Sequence, residues 1–235
     1  ALLWLGSQPA RASAPVPIRI MPLGDSITSS IPGQASYRYW LWKTMNTAGY
    51  SVDFVGTLWG VYQERDNAPL YPDFDADPEG HYGYRADQVL ANITVWAQIS
   101  VPDVVLIHLG HNDLWFSQSI DSTILELGQI IDKLRAVNPR VKVLLAQLIP
   151  SAFGGELDRI PLLNARIPAL VNSKSTHLSP VRLVDQYTGF DPVADTVDKV
   201  HPDESGEKKM SARWFSVFDL LMRQDKFYFM PVVIK

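Results

Sequence analysis

Strand-like and helix-like patterns alternate along the chain, and this alternation limits the possible folds more than any other feature. The runs 104–109 and 141–148 are mostly apolar, which is typical of strands buried on both faces. Shorter strand patterns occupy residues 18–21, 51–56 and 181–184. Five strands separated by helical patterns predict parallel βαβ units. We therefore expect an α/β fold, a three-layer α/β/α sandwich with a five-stranded parallel sheet.

Helical periodicity fills the segments between these strands. Apolar residues recur at helical spacing over residues 37–48, 87–99, 120–137, 160–173 and 203–222, and Pro168 lies inside the fourth of these segments. In an open parallel sheet, ligands bind outside the carboxyl ends of the strands. The residues that directly follow each strand are therefore the first candidates for a functional site.

Composition narrows the function classes. With 46% hydrophobic and 20% charged residues, the chain has the composition of a globular protein. It has no cysteine, which excludes a disulfide scaffold, a thiolate metal site and a cysteine nucleophile. A net charge of -4 disfavours a non-specific nucleic-acid binder, and no apolar run approaches the roughly 18–20 residues of a membrane span. We expect neither a nucleic acid nor a membrane as partner.

The first residues resemble the end of a secretion signal. An apolar stretch over residues 1–6 is followed by Ala12-Ser13-Ala14, an Ala-x-Ala pattern that is typical of a cleavage site. We expect residues 1–14 to be a signal-peptide remnant and the protein to be secreted; an ordered N-terminal arm is the alternative. Residues 15–235 are expected to form one domain, since neither a repeat nor a low-complexity segment interrupts them.

The segment 57–85 breaks the alternation, because it has little periodicity and is rich in aromatic residues. Loops this long in compact domains are usually functional or mobile. The spacing Asp73-x-Asp75-x-Asp77 resembles the opening of a calcium-binding loop, but Pro78 stands where such a loop needs its turn glycine. We therefore expect a solvated acidic loop and no metal site.

Three polar motifs follow strand patterns or lie near the C-terminal helix. Gly24-Asp25-Ser26 places a hydroxyl directly after the first strand, Gly110-His111-Asn112-Asp113 places an amide after the third, and Asp198-Lys199-Val200-His201 pairs a carboxylate with an imidazole. Each motif alone has an ordinary alternative: a helix N-cap serine, a polar turn, or a surface pair. Together they predict a serine nucleophile with a histidine base. We expect Asp25 and Asp113 to support their turns by accepting backbone N–H bonds.

With these motifs in order, the chain resembles the SGNH or GDSL hydrolases, which have a flavodoxin-like three-layer fold. That family has four blocks, of which the second is a loop glycine. We assign the loop glycine to Gly83 and not Gly80, because His81-Tyr82-Gly83 resembles the family's segment before a helix. The resemblance spans roughly residues 18–215. Within the superfamily the chain is most similar to carbohydrate esterase family 3, the acetylxylan esterases, over residues 21–28, 36–41 and 52–57. It departs from that family at His111, where a small residue is common, and in the length of the loop 57–85.

The resemblance implies a serine esterase that removes acetyl groups from acetylated polysaccharide through an acyl-enzyme. Ser26 would be the nucleophile, His201 the base and Asp198 the residue that orients the base. The backbone N–H groups of Ser26 and Gly83 and the side chain of Asn112 would form the oxyanion hole. The resemblance implies that the enzyme needs neither a cofactor nor a metal. It also implies that the substrate is an acetylated polysaccharide or a small ester and that the protein is a monomer.

Two alternatives remain open from the sequence. One is a lipid esterase, lysophospholipase or thioesterase of the same superfamily; the other is a non-catalytic carbohydrate-binding domain on the same fold. The intact set of Ser26, Asn112 and His201 argues against the second. We expect His111, Tyr82 and Tyr84 to narrow the acyl pocket to an acetyl group, and the aromatic residues of the loop 57–85 to contact a sugar chain.

Overall fold

The computed structural model describes residues 16–62 and 68–228. The segment 1–14, expected to be a signal-peptide remnant or an N-terminal arm, lies outside these residues. Within them, no helix is both apolar enough and long enough to cross a membrane.

All strands of the sheet pair in parallel, as expected. The strands are β1 (Ile18–Gly24), β2 (Val52–Phe54), β3 (Glu79–Gly80), β4 (Val104–His108), β5 (Lys142–Ala146) and β6 (Val181–Val184). The five longer strands lie in the order β2-β1-β4-β5-β6, and β3 pairs with the end of β1. Since β4 occupies one edge of β1, both β2 and β3 pair along the opposite edge, β2 with the start of β1 and β3 with its end.

Helices cover both faces of this sheet. The helices are α1 (Ser26–Ser29), α2 (Tyr37–Thr47), α3 (Ala86–Ser100), α4 (His111–Trp115), α5 (Ile120–Val137), α6 (Ile160–Asn164), α7 (Ile167–Lys174) and α8 (Glu204–Tyr228), with a 3-10 helix over Gly155–Arg159. On one face, Ile93 of α3 and Ile130 of α5 pack against β4 residues such as Val105. On the other face, α2 and α8 pack against the alternate residues of the strands, so that Leu106 belongs to the same cluster as Trp214. Both faces are therefore buried, which explains the apolar runs in the sequence.

The helix expected over residues 160–173 is instead two helices, α6 and α7. Pro168 lies in the first turn of α7, where its missing N–H costs nothing. In a continuous helix its ring would clash with the carbonyl of Asn164, the residue at which α6 ends. The short helices α1 and α4, at four and five residues, were not predicted because they are too short to show a periodic pattern.

Candidate active site

Ser26 is the first residue of α1, directly after the turn that follows β1. Asp25 is the N-cap of α1, and its Oδ1 accepts a hydrogen bond from the N–H of Ile27 at 3.0 Å. The capping role that serine could have filled thus belongs to Asp25. Ser26, only 7% exposed, is the first helical residue, and its hydroxyl is available for another partner.

That partner is His201, in the loop before α8. Its Nε2 lies 2.9 Å from Ser26 Oγ, and its Nδ1 lies 2.7 Å from Asp198 Oδ2. Burial pushes the pKa of Asp198 up, but hydrogen bonds from the backbone and ring of His201 outweigh it and leave the pKa lowered. An ionised carboxylate only accepts hydrogen bonds, so Nδ1 carries the ring proton. Nε2 is then the unprotonated ring nitrogen, and it accepts the hydrogen bond that the Ser26 hydroxyl donates.

The loop that carries Asp198 and His201 is held by hydrogen bonds from its own backbone N–H groups. Asp198 Oδ1 accepts hydrogen bonds from the N–H groups of Val200 at 3.0 Å and His201 at 2.7 Å. Lys199 adopts a left-handed conformation with φ of 73°, which is unusual for a residue with a side chain. Such strain is common where a functional residue must be held in place.

Gly83 is presented by the short turn that follows β3. The N–H of His81 donates to the carbonyl of Gly24 at 2.9 Å, which joins this turn to the end of β1 beside Ser26. Gly83 has a φ of 76°, and a Cβ added to it would meet nothing within 4 Å. Backbone conformation, and not lack of space, is therefore the reason for glycine here.

Glu79 and His81 form a buried pair that supports the turn carrying Gly83. Glu79 Oε1 lies 2.6 Å from His81 Nε2, and Glu79 also accepts hydrogen bonds from the backbone N–H and the hydroxyl of Thr57. The ring of His81 is stacked between Tyr84, at a centroid distance of 4.8 Å, and Trp96, at 4.0 Å. These contacts fix the segment from which Gly83 projects.

Asn112 reaches the site from the first turn of α4. Gly110, the N-cap of that helix, has a φ of 137°, which allows the helix to begin directly after β4. Asn112 Nδ2 donates to the carbonyl of Tyr84 at 3.1 Å and, more weakly, to Asp25 Oδ2 at 3.5 Å. The amide is thus held between the turn that carries Gly83 and the residue before Ser26.

Both buried aspartates of the motifs accept backbone N–H bonds, as expected, but only Asp25 does so in its own turn, whereas Asp113 binds a segment distant in sequence. Both oxygens of Asp113 accept from the N–H of Ala86 at 3.1 Å, which secures the start of α3. Burial raises the pKa of Asp113 to about 6 and that of Asp25 to about 7.

His111 forms part of the wall beside these residues. Burial lowers its pKa to about 4, so its ring is neutral at neutral pH. Its Nε2 lies 3.0 Å from the carbonyl of Ile149, which can only accept, so Nε2 carries the proton. His111 is therefore an uncharged ring held in one orientation, and it forms no hydrogen bond with Ser26, whose partner is His201.

The five residues singled out from the sequence line one cleft of about 380 Å³. Up to 175 residues separate them in the sequence, yet all five lie at the same end of the sheet: Ser26, Gly83, Asn112, Asp198 and His201. This arrangement matches the requirements of ester hydrolysis: a hydroxyl bonded to a base, an oriented base, and N–H donors nearby.

Residues 23–209 match the family model described as GDSL-like lipase/acylhydrolase. The chain belongs to this family. A crystal structure of a serine-to-alanine mutant of an acetyl esterase with an acetate ion is similar, with a TM-score of 0.78 and 31% identity over 88% of this chain and 99% of that one. A carbohydrate esterase family 3 structure from Talaromyces cellulolyticus has a TM-score of 0.77 and 31% identity, covering 88% of this chain and 99% of its own.

A multidomain esterase of Ruminococcus flavefaciens is 28% identical over 237 residues, which cover 91% of this chain. The chain spans 30% of the length of that protein. The expected resemblance to carbohydrate esterase family 3 is confirmed, and the similar proteins named here are carboxylic ester hydrolases, as expected.

Part of the cleft of this GDSL-like hydrolase was missed in the sequence. Trp115 and Phe116 line it from the end of α4, and Phe153, Leu157 and Val200 complete an apolar wall. The dipeptide Trp115-Phe116 follows the Asn112 motif directly, and this position could have indicated that both rings lie near the site. Phe153 lies in a segment without periodicity, so no sequence pattern indicates that it reaches the cleft.

Most aromatic residues of the loop 57–85 do not line the cleft, contrary to the expectation that they contact a sugar chain there. Tyr71 and Phe74 pack against Tyr39, at 4.7 and 5.5 Å between ring centroids. Tyr84 stacks on His81 and is not among the residues that line the cleft, whereas Tyr82 lines it and stacks on His201 at 5.9 Å. Tertiary contacts with α2, which no local pattern shows, hold the rings of Tyr71 and Phe74 away from the cleft.

The acidic part of the loop is only partly solvated, which corrects the expectation. Asp73 is exposed and pairs with Lys43. Asp75 is half-buried and accepts a hydrogen bond from the N–H of Phe54 at 2.6 Å, and burial raises the pKa of Asp77 to about 6. Among the side chains described over residues 16–62 and 68–224, no group of three or more His, Asp or Glu residues is placed to hold a metal ion.

Proposed function

We propose that the protein is a serine esterase that removes acetyl groups from acetylated polysaccharide, such as acetylxylan, through an acyl-enzyme on Ser26. The observation that carries the proposal is the continuous hydrogen-bonded chain from Ser26 Oγ to His201 Nε2, at 2.9 Å, and from His201 Nδ1 to Asp198 Oδ2, at 2.7 Å. A weak hydroxyl nucleophile needs a base in such contact.

In the first half of the reaction, Ser26 Oγ attacks the ester carbonyl carbon while His201 Nε2 takes its proton. Asp198 holds the ring and stabilises the imidazolium that forms. The tetrahedral intermediate then collapses: the C–O bond to the sugar breaks, and His201 returns the proton to the leaving oxygen. The acetyl group remains on Ser26 as an ester.

In the second half, water replaces the alcohol. His201 takes a proton from a water molecule, whose oxygen attacks the acetyl carbonyl, and the proton passes to Ser26 Oγ as that bond breaks. Acetate leaves, and the hydrogen bond between Ser26 and His201 forms again. The same nitrogen thus acts as base and then as acid in both halves.

Both halves place a negative charge on the carbonyl oxygen. The N–H groups of Ser26 and Gly83 and the Nδ2 of Asn112 are assigned to this oxygen, because all three residues line the cleft. Each donor of this kind typically contributes about 2.7–4 kcal/mol to transition-state stabilisation. The fixed turn at Gly83 and the tethered amide of Asn112 supply donors that need little reorganisation.

The choice of acetyl ester rests on the relatives. The similar structures include an acetyl esterase and a carbohydrate esterase family 3 member, at 31% identity each. Since the chain spans 30% of the multidomain esterase, the substrate and partners of the whole protein are part of the proposal. We also propose that the enzyme acts outside the cell, where a polymeric substrate would be met.

Two measurements test this function. Ser26→Ala should abolish hydrolysis of acetylated xylan with little change in thermal unfolding, and Ser100→Ala, which removes another buried hydroxyl on α3, should leave turnover intact. The wild type should hydrolyse acetyl esters faster than butyryl and octanoyl esters. Faster hydrolysis of octanoyl esters would replace the acetylated polysaccharide by a lipid, and turnover by Ser26→Ala would overturn the nucleophile.

A further inference from the structure

Exposed aromatic side chains are concentrated at the cleft. Among the side chains described over residues 16–62 and 68–224, five aromatic ones are exposed: Trp59, Tyr82, Trp115, Phe116 and Phe153. All but Trp59 line the cleft. Single exposed apolar residues need no explanation, but a contiguous group beside a reactive site marks a binding surface.

Three of the rings that line the cleft are grouped here as the aromatic wall: Trp115, Phe116, which follows it in the chain, and Phe153. The rings of Trp115 and Phe153 have centroids 4.6 Å apart at an interplanar angle of 51°. The guanidinium of Arg85 lies 5.7 Å from the centre of the Phe116 ring and places a polar group at the edge of the wall.

The aromatic wall joins the two halves of the catalytic arrangement. Trp115 lies on α4, the helix that carries Asn112. The segment that carries Phe153 is bonded to the loop of His201, because Ser151 Oγ and the N–H of Ala152 both donate to the carbonyl of Lys199, at 2.8 and 3.2 Å. The wall therefore extends from the oxyanion side of the cleft to the side of the base.

We propose that the aromatic wall is the subsite for the sugar ring whose ester is cleaved. This inference rests on the proposed function and names the part of the substrate that the rings contact. The leaving oxygen must come within hydrogen-bond reach of His201 Nε2 to receive its proton. The sugar attached to that oxygen then extends along the side of the base, where Phe153 and Val200 lie. A cleft of 380 Å³ falls within the range of about 300–1,000 Å³ that holds drug-sized ligands, so it has room beyond an acetyl group.

The exposure of the rings favours a sugar over an alkyl chain. Trp115 is 43% exposed, Phe116 60% and Phe153 57%, so each ring keeps an open face. The C–H face of a pyranose packs on such a ring while its hydroxyl groups stay in water. An alkyl chain gains most when it is enclosed on all sides, which these open rings do not offer.

The test compares substrates that differ in the alcohol or in the acyl group. Trp115→Ala and Phe153→Ala are measured on acetylated xylo-oligosaccharides, on ethyl acetate, whose alcohol is too small to reach the wall, and on ethyl octanoate. We expect each variant to lose about tenfold more kcat/KM on the oligosaccharide than on ethyl acetate, equivalent to about 1.4 kcal/mol of transition-state binding. Trp59→Ala, an exposed aromatic outside the cleft, is the matched control and should match the wild type on all three substrates.

Equal losses on the oligosaccharide and ethyl acetate would overturn the inference, as would a loss confined to ethyl octanoate, which would make the wall an acyl-chain site. If truncation to alanine impairs folding, Trp115→Leu is assayed in the same way, because it keeps an apolar side chain of intermediate size but removes the ring, and its result decides the question. Wild-type preference for ethyl octanoate over acetylated oligosaccharide would instead refute the proposed function, whatever the variants do.

Discussion

Replacing Asn112 with alanine separates a catalytic from a structural role for its amide. Nδ2 donates to the carbonyl of Tyr84 at 3.1 Å and weakly to Asp25 Oδ2 at 3.5 Å. Loss of one good hydrogen bond costs about 1 kcal/mol of folding free energy. For a domain of this size, that lowers the melting temperature by about 2–4 °C.

The expected effect on catalysis is much larger. If Asn112 donates to the carbonyl oxygen only in the transition state, Asn112→Ala should lower kcat about 100- to 1,000-fold and leave KM nearly unchanged. The assay is steady-state hydrolysis of p-nitrophenyl acetate, together with thermal unfolding of the same preparation.

Asn138→Ala is the matched control. Its Nδ2 also donates to a backbone carbonyl, that of Pro102 at 2.9 Å, but it does not line the cleft. It should lose stability to a comparable degree and keep its kcat. A loss of kcat below about tenfold in Asn112→Ala, with the predicted fall in melting temperature, would show that the amide only supports the turn.

Three further predictions follow from the site. His201→Ala should lower kcat on p-nitrophenyl acetate more than Asp198→Ala, because the imidazole transfers the proton and the carboxylate only orients it; equal and small losses would indicate another base. Gly83→Ala should cost about 1–2 kcal/mol of stability in chemical denaturation and lower kcat, because its left-handed backbone disfavours a Cβ; wild-type values for both would contradict this reasoning. Burial raises the pKa of Asp25 from 3.8 to about 7, so its contribution to stability is full below pH 3.8 and is lost as the pH rises through about 7. Asp25→Asn should therefore gain stability relative to the wild type across that interval, on the order of a few kcal/mol; parallel pH dependence of unfolding in the two proteins would refute it.

The position of the site could be predicted because parallel sheets place the ends of their strands together. Ser26 follows β1 and Asn112 follows β4, and these strands are neighbours in the sheet. Alternation of apolar and helical segments is enough to predict that sheet. His201 could be added because its spacing from Asp198 is local, and the structure places it 2.9 Å from Ser26 Oγ. Their catalytic roles stay predictions.

Features that depend on distant contacts could not be predicted. Phe153 reaches the cleft because its segment is bonded to the carbonyl of Lys199, 46 residues later in the chain, and no local pattern encodes that contact. Asp75 lies in an acidic stretch typical of solvated loops, but tertiary packing leaves it half-buried against β2. The two-residue strand β3 is too short for alternation to show, although it fixes the turn of Gly83.

The acyl-enzyme on Ser26 is the central claim, and mass spectrometry of the acid-quenched enzyme tests it most directly. The wild type is mixed with p-nitrophenyl acetate and quenched within the first turnovers, and the protein is digested for peptide mapping. We predict a mass gain of one acetyl group on the peptide containing Ser26, with no gain at this site in Ser26→Ala. An active wild-type enzyme that shows an acetyl adduct on a different residue, or an initial burst of product without any adduct on Ser26, would contradict the account.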